Sequence, residues 1–129
     1  MYIYELDFKV RDYECDLQGI VNNSVYQNYL EHTRHEFLLD RNVSFSDLHL
    51  QGIDAVVARI EIAFKTPLRS RDEFVCKLNV KKAGIKYVFN QAIYRKPDNK
   101  LCVSAKVTTV VLVDGKLTAD FPPFDDLIV

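Results

Sequence analysis

A chain of 129 residues with 48% apolar and 27% charged side chains and a formal net charge of −1 is sized for a single domain, 1–129, with its own core, and this balance excludes a disordered chain and a nucleic-acid footprint. No apolar run reaches the roughly 18 residues that span a bilayer as a helix, and the opening MYIYELDFKV lacks the basic flank and apolar centre of a signal peptide, so no membrane partner and a cytoplasmic location are expected. Cys15, Cys76 and Cys102 are odd in number and widely spaced, which fits reduced thiols, and glycines only at 19, 52, 84 and 115 leave no place for a phosphate-cradling or nucleophile-elbow motif.

Residues 2–11 alternate Tyr2, Tyr4, Leu6, Phe8 and Val10 against Glu5, Asp7, Lys9 and Arg11, the period of a half-buried strand. A turn around Gly19 follows. Tyr26, Tyr29, Leu30, Thr33, Phe37 and Arg41 then recur at helical spacing, with Asn28, His32 and His35 on the other side, predicting an amphipathic helix over 23–41 about 28 Å long. Residues 42–50 read as a loop or a short helix capped by Ser46. Beyond Gly52 the period changes to 2. Runs over 53–65, 74–81, the stretch through Tyr87, Phe89, Gln91 and Ile93, and 101–113 are separated by Thr66-Pro67, Gly84 and Pro97-Asp98-Asn99-Lys100, and Asp114-Gly115 turns the chain into a last run, 116–119.

Strand, long helix, then four or five strands on short turns requires an α+β domain with a mostly antiparallel sheet. One helix covers one face only. Burial of the other face or edge by a second copy, giving at least a dimer, is therefore expected.

The stretch 11–34, RDYECDLQGIVNNSVYQNYLEHTR, carries the chemistry. It sets the lone carboxylate of Asp16 a few residues before a helix N-terminus, whose unpaired amides and positive dipole end favour a ligand oxygen with partial negative charge. Asn23 reads as the N-cap as well as a site residue, Gly19 as a turn glycine that allows close backbone approach, and Tyr26 as core or pocket lining. Glu31 is the rival carboxylate, with surface pairing to Arg34 or His35 as its plainer role. His32 and His35 lack a third ligand, so no metal is expected.

The pattern Glu14-x-Asp16-x-x-Gly19-x-Val21, followed by Asn23-x-x-Tyr26 and Glu31-x-x-Arg34, resembles the hot-dog-fold acyl-CoA thioesterases of the 4-hydroxybenzoyl-CoA thioesterase type, and Pro67-Leu68 with Asp72 resembles the segment before a strand in those enzymes. Arg71 stands where relatives carry glycine, and Asn23 where many carry His or Tyr.

The resemblance implies a hot-dog fold, in which a five- or six-stranded, mostly antiparallel sheet wraps around one long central helix. It also implies a homodimer or homotetramer that hydrolyses acyl-CoA to free acid and CoA. Asp16 then acts as nucleophile or general base, the backbone amide at Asn23 as oxyanion donor, and Gly19, Tyr26 and Glu31 as substrate contacts. Coenzyme A belongs to the substrate and no separate cofactor is implied. Arg69, Arg71, Lys82 and Lys86, together with Lys81, are candidates for its phosphates. The alternatives are an acyl-carrier-protein thioesterase and a non-hydrolytic acyl-CoA or acyl-carrier-protein binding module.

Overall fold

The computed structural model describes residues 1–127. Six strands form one antiparallel sheet: β1 (Tyr4–Lys9), β2 (Ile53–Phe64), β3 (Glu73–Ala83), β4 (Lys86–Arg95), β5 (Lys100–Val113) and β6 (Lys116–Thr118). Their order is β1-β3-β4-β5-β2, with β6 beside β5. The long helix α1 (Asn23–Asp40) lies on one face, and α2 (Phe45–Leu50) and α3 (Pro122–Asp125) are short. A sheet wrapped on one long helix is the architecture the resemblance implies.

Local pattern explains most of these elements. β1 alternates half-buried and exposed positions along its whole length, and in β5 Val103, Ala105, Val107, Thr109 and Val111 are all buried. The period of 2 aims them at α1. Two packed clusters result. Tyr26, Tyr29 and Leu30 of the first half of α1 meet Phe74, Cys76, Ile93 and Val103, and Phe37 and Leu38 of its second half meet Leu78, Phe89 and Val107 together with Phe121 and Phe124 from the C-terminal segment.

The structure departs from expectation at four points. Asn22, not Asn23, is the N-cap of α1, accepting the Ser24 amide on Oδ1 at 3.0 Å. Its extended backbone lets the side chain fold back over the first turn, which Asn23, already helical, cannot do. α2 is likewise capped by Ser44, whose side chain accepts from Asp47, rather than by Ser46. Arg41 caps the exposed end of α1 instead of extending its buried stripe, and Arg34 lies in that stripe, 7% exposed. The fourth is the 3-10 turn Asp12–Glu14 together with α3, where no hydrophobic period operates.

β2 is an edge strand of 12 residues that, among the described residues, has β5 alone beside it. Val57 and Phe64 on it are 49% and 48% exposed, an unpaired edge with apolar side chains of the kind that invites a second chain.

Leu30 is fully buried at the centre of the first cluster. Replacing it by alanine is expected to lower stability by about 3 kcal/mol, read as a lower urea midpoint at unchanged m-value. A shift under about 1 kcal/mol would contradict this packing.

Candidate active site

The segment ahead of α1 is a small hairpin. Cys15 bridges Val21, the Asp16 amide donates to Ile20 O at 2.9 Å, and the Gly19 amide donates back to Asp16 O at 3.0 Å. Gly19 takes φ +77°, a left-handed conformation that most residues resist. Asp16 thus sits at a hairpin tip, exposed, with Oδ1 accepting the Gln18 amide at 2.8 Å. From its paired residue Ile20 to Asn23 is three residues of chain, at most about 11 Å.

Glu14 anchors this hairpin. Its buried carboxylate accepts the Arg11 amide at 2.8 Å and the Tyr29 hydroxyl at 2.9 Å, and its carbonyl accepts the Asn22 amide at 3.0 Å. One side chain therefore ties loop to helix. Burial, then the bond to Glu14, pushes the Tyr29 phenol far above its ordinary range, so it stays a donor. Cys15 is half-buried, and burial first, then the carboxylates of Asp12 and Asp16, raises its thiol pKa, which suits filler rather than nucleophile.

At the helix start, the Ser24 amide goes to the Asn22 side chain and the Val25 amide to Asn22 O. The Asn23 amide has no partner among the described residues. Asn23 borders a cleft of about 220 Å³ whose walls include Val21, Tyr26, Phe64 and Pro67. Tyr26 packs in the core, 3% exposed, and is also a wall of this cleft, with its hydroxyl accepting the Leu68 amide at 3.0 Å. Asp16 is not among the residues lining this cleft in the single chain.

Glu31 is exposed and faces His35 at 4.0 Å, and His32 faces Glu36 at 3.6 Å. Of the two surface partners expected for Glu31, His35 is the one it faces, and among the described residues no Glu31–Arg34 ion pair forms. Arg34 turns inward, and its Nη1 donates to Gln91 Oε1 at 3.0 Å, while Gln91 Nε2 donates to Leu30 O at 3.0 Å. Burial lowers the Arg34 pKa from its ordinary value, although a guanidinium remains a cation at any working pH. The signal was present: residue 34 lies four beyond Leu30 and three before Phe37, in phase with the buried stripe, and Gln91 is in phase with Phe89 and Ile93.

The basic residues do not gather. Arg69 and Arg71 precede β3, whereas Lys82 and Lys86 lie at its far end, about 30 Å away along an 11-residue strand. Lys82 is moreover engaged by Asp120 at 2.7 Å and Asp125 at 3.1 Å, which raise its pKa. With Tyr87, whose hydroxyl donates to Asp125 at 2.6 Å, it pins the C-terminal segment to the sheet. Arg71, at φ +69°, shares an open groove with Arg11 and Asp12, and Lys86 and Arg69 are exposed. Among the described residues no three His, Cys, Asp or Glu side chains are grouped to hold a metal, and no helix is long and apolar enough to cross a membrane.

A family model described as the thioesterase-like superfamily matches residues 10–126. A chloroplastic acyl-acyl carrier protein thioesterase of Arabidopsis thaliana is 38% identical over 112 residues, covering 84% of this chain and 58% of that protein, so the chain spans less than two thirds of this relative's length. Among solved structures, a 1,4-dihydroxy-2-naphthoyl-CoA thioesterase from Synechocystis superposes with a TM-score of 0.91 at 15% identity, over 97% of this chain and 94% of that one. A DHNA-CoA thioesterase from Staphylococcus aureus gives 0.84 at 18%, over 95% and 86%. At these identities the two structures speak to the fold.

Two neighbouring asparagines separate the capping role from the exposed one. Asn22→Ala is expected to cost about 1 kcal/mol and Asn23→Ala only a few tenths, compared by chemical denaturation; the reverse order would reassign the cap.

Proposed function

The chain belongs to the thioesterase-like superfamily, and from that premise we propose that it hydrolyses an acyl thioester to free acid and thiol, with acyl-CoA as substrate and Asp16 as the reacting carboxylate. The observation that carries this reading is Asn23 at the N-terminus of an 18-residue helix, lining a cleft one hairpin away from Asp16. A thioester carbonyl oxygen set against the Asn23 amide gains from the donor and from the helix dipole as negative charge develops.

Asp16 then acts by one of two routes. As a general base, it takes a proton from water while the water oxygen bonds to the carbonyl carbon, and the C–S bond breaks to release the thiol. As a nucleophile, its own oxygen bonds to that carbon, the thiol leaves, and water cleaves the mixed anhydride. Gly19 keeps the hairpin tip thin enough for the thioester to approach.

The exposed tip becomes an enclosed site in an assembly, and we assign that assembly to β2. Antiparallel pairing of this unpaired edge with its copy satisfies its free backbone groups and covers Val57 and Phe64. It also runs the Phe64 end of one β2, beside the Asn23 cleft, past the Ile53 end of the other, whose Asp54 and Ala55 line a cavity with Glu31. Glu31 of the partner subunit is thereby brought toward Asp16. The same chemistry serves an acyl-carrier-protein thioester, which the similarity to the Arabidopsis protein favours as the second reading. A cytoplasmic location and CoA-phosphate contacts from Arg69 and Arg71 belong to this proposal as well.

A thiol-release assay over acyl-CoA and acyl-carrier-protein thioesters separates the readings. Failure to turn over any of them while CoA still binds would favour a binding module. Asp16→Asn is expected to lower kcat by about a hundredfold or more with the unfolding midpoint unchanged; undiminished turnover would move the role to Glu31. Light scattering is expected to give a dimer or tetramer, and Val57→Lys to shift it toward monomer, whereas a wild-type monomer across the concentration range would remove the β2 pairing.

A further inference from the structure

A second cavity, of about 320 Å³, lies between α1, α2, β2 and α3, at the opposite end of the helix from its N-terminal cleft. That volume falls in the range of small-ligand pockets, about 300–1,000 Å³. Its walls are largely apolar, with Phe45, Ala55, Val57, Phe89 and Phe124. Arg34 is the exception. It is 93% buried by the measure that leaves it 7% exposed, yet among the described residues only its Nη1 is engaged, by Gln91.

No side-chain nitrogen or oxygen of the described residues is both fully buried and without a hydrogen-bond partner. The remaining guanidinium donors are therefore not sealed in protein, and Arg34 is a wall of the cavity. The other polar groups there are already occupied or stand at the mouth. Thr109 donates to Tyr87 O at 2.8 Å, Asp54 is held by His49 at 2.7 Å, and Glu31 faces His35. Glu31 acts on Arg34 through space without a hydrogen bond to it, so among the described residues Gln91 is the one bonded partner of the guanidinium.

Resting on the thioesterase reading, the geometry points to a substrate acyl chain that carries an oxygen at its far end, a hydroxyl or a carboxylate, received by Arg34 in this cavity. A plain hydrocarbon filling the same space strips water from the guanidinium and returns no bond, which a desolvated cation penalises. An oxygen acceptor fills the space and pairs the cation. Gln91, braced by the Leu30 carbonyl, holds the guanidinium toward the opening. The chain arrives from the other copy: the β2 pairing proposed above carries the Ile53 end of one strand, with Asp54 and Ala55 in the wall of this cavity, past the end of the partner's strand that borders its Asn23 cleft. Arg34 is thus a specificity residue remote from the reacting carbonyl.

The test is kcat/KM of the wild-type assembly on octanoyl-, decanoyl- and dodecanoyl-CoA beside their terminally hydroxylated and terminally carboxylated counterparts. At the chain length that spans cleft to cavity, an oxygenated acyl group is expected to exceed the plain one by about tenfold or more. A hydroxyl preference and a carboxylate preference both support the assignment and tell the two apart. Arg34→Met is expected to erase the preference by raising plain-chain kcat/KM toward, and lowering oxygenated-chain kcat/KM to, a common value, and Arg34→Lys to restore part of it.

Equal or better turnover of plain chains at every length overturns the role of Arg34 and leaves the activity standing. So does a preference that survives Arg34→Met. Hydrolysis of no thioester overturns the activity and this assignment together. If Arg34→Met does not fold, the wild-type comparison decides alone.

Discussion

The molecule depends on how α1 is seated on the sheet. Tyr26, Tyr29, Leu30, Phe37 and Leu38 bury one stripe of the helix against β3, β4 and β5, and each such side chain contributes about 1.5–3 kcal/mol. That force is non-directional and would tolerate a helix slid or rotated by a fraction of a turn. The polar contacts remove this freedom. Gln91 reaches from β4 to the Leu30 carbonyl, and Glu14 reaches from the preceding turn to the Tyr29 hydroxyl. A buried bond is modest in net energy, about 0.5–1.5 kcal/mol, but breaking it by misregistration leaves a desolvated group unpaired, and that asymmetry selects one seating.

Both ends of the helix acquire their roles from that seating. At the start, Asn22 takes the cap and Asn23 lines a cleft with Val21, Tyr26 and Phe64. Farther along, position 34 is turned inward, so a cation sits where a hydrophobic residue would complete the stripe. A buried arginine is a poor stabiliser compared with a well-packed apolar side chain. Its place in the wall of a largely apolar cavity fits the recognition role proposed above. The C-terminal segment closes that cavity. Phe124 is a wall of it, and Tyr87, Lys82 and Asp125 hold α3 in place.

The strand faces and the long helix could be read from periodicity because each depends on residues two, three or four apart. Leu6 and Phe8 against Asp7 and Lys9, or Val103, Ala105 and Val107 against Ser104 and Lys106, announce their faces without reference to the rest of the chain. Gly19 and the Asp114-Gly115 turn were legible for the same reason, as left-handed positions at chain reversals. The cap was read one residue late because Asn22, Asn23 and Ser24 are all competent caps, and the choice among them is made by where Val21 is pinned to the Leu68 carbonyl. α3 escaped notice because four residues with two prolines carry no period.

What the sequence determined by itself was the order of elements, the identity of the buried faces and the position of a lone acid just ahead of a helix, all consequences of local stereochemistry. The tertiary structure alone decided that Arg34 abandons Glu31 for Gln91, that Lys82 is spent on Asp120 and Asp125, and that Arg69 and Arg71 stand a strand's length from Lys86. Those outcomes turn on which residue of β4 faces which turn of α1 and on how far β3 carries the chain. Registry between distant segments is set by the packing of the whole core, and no local pattern encodes it.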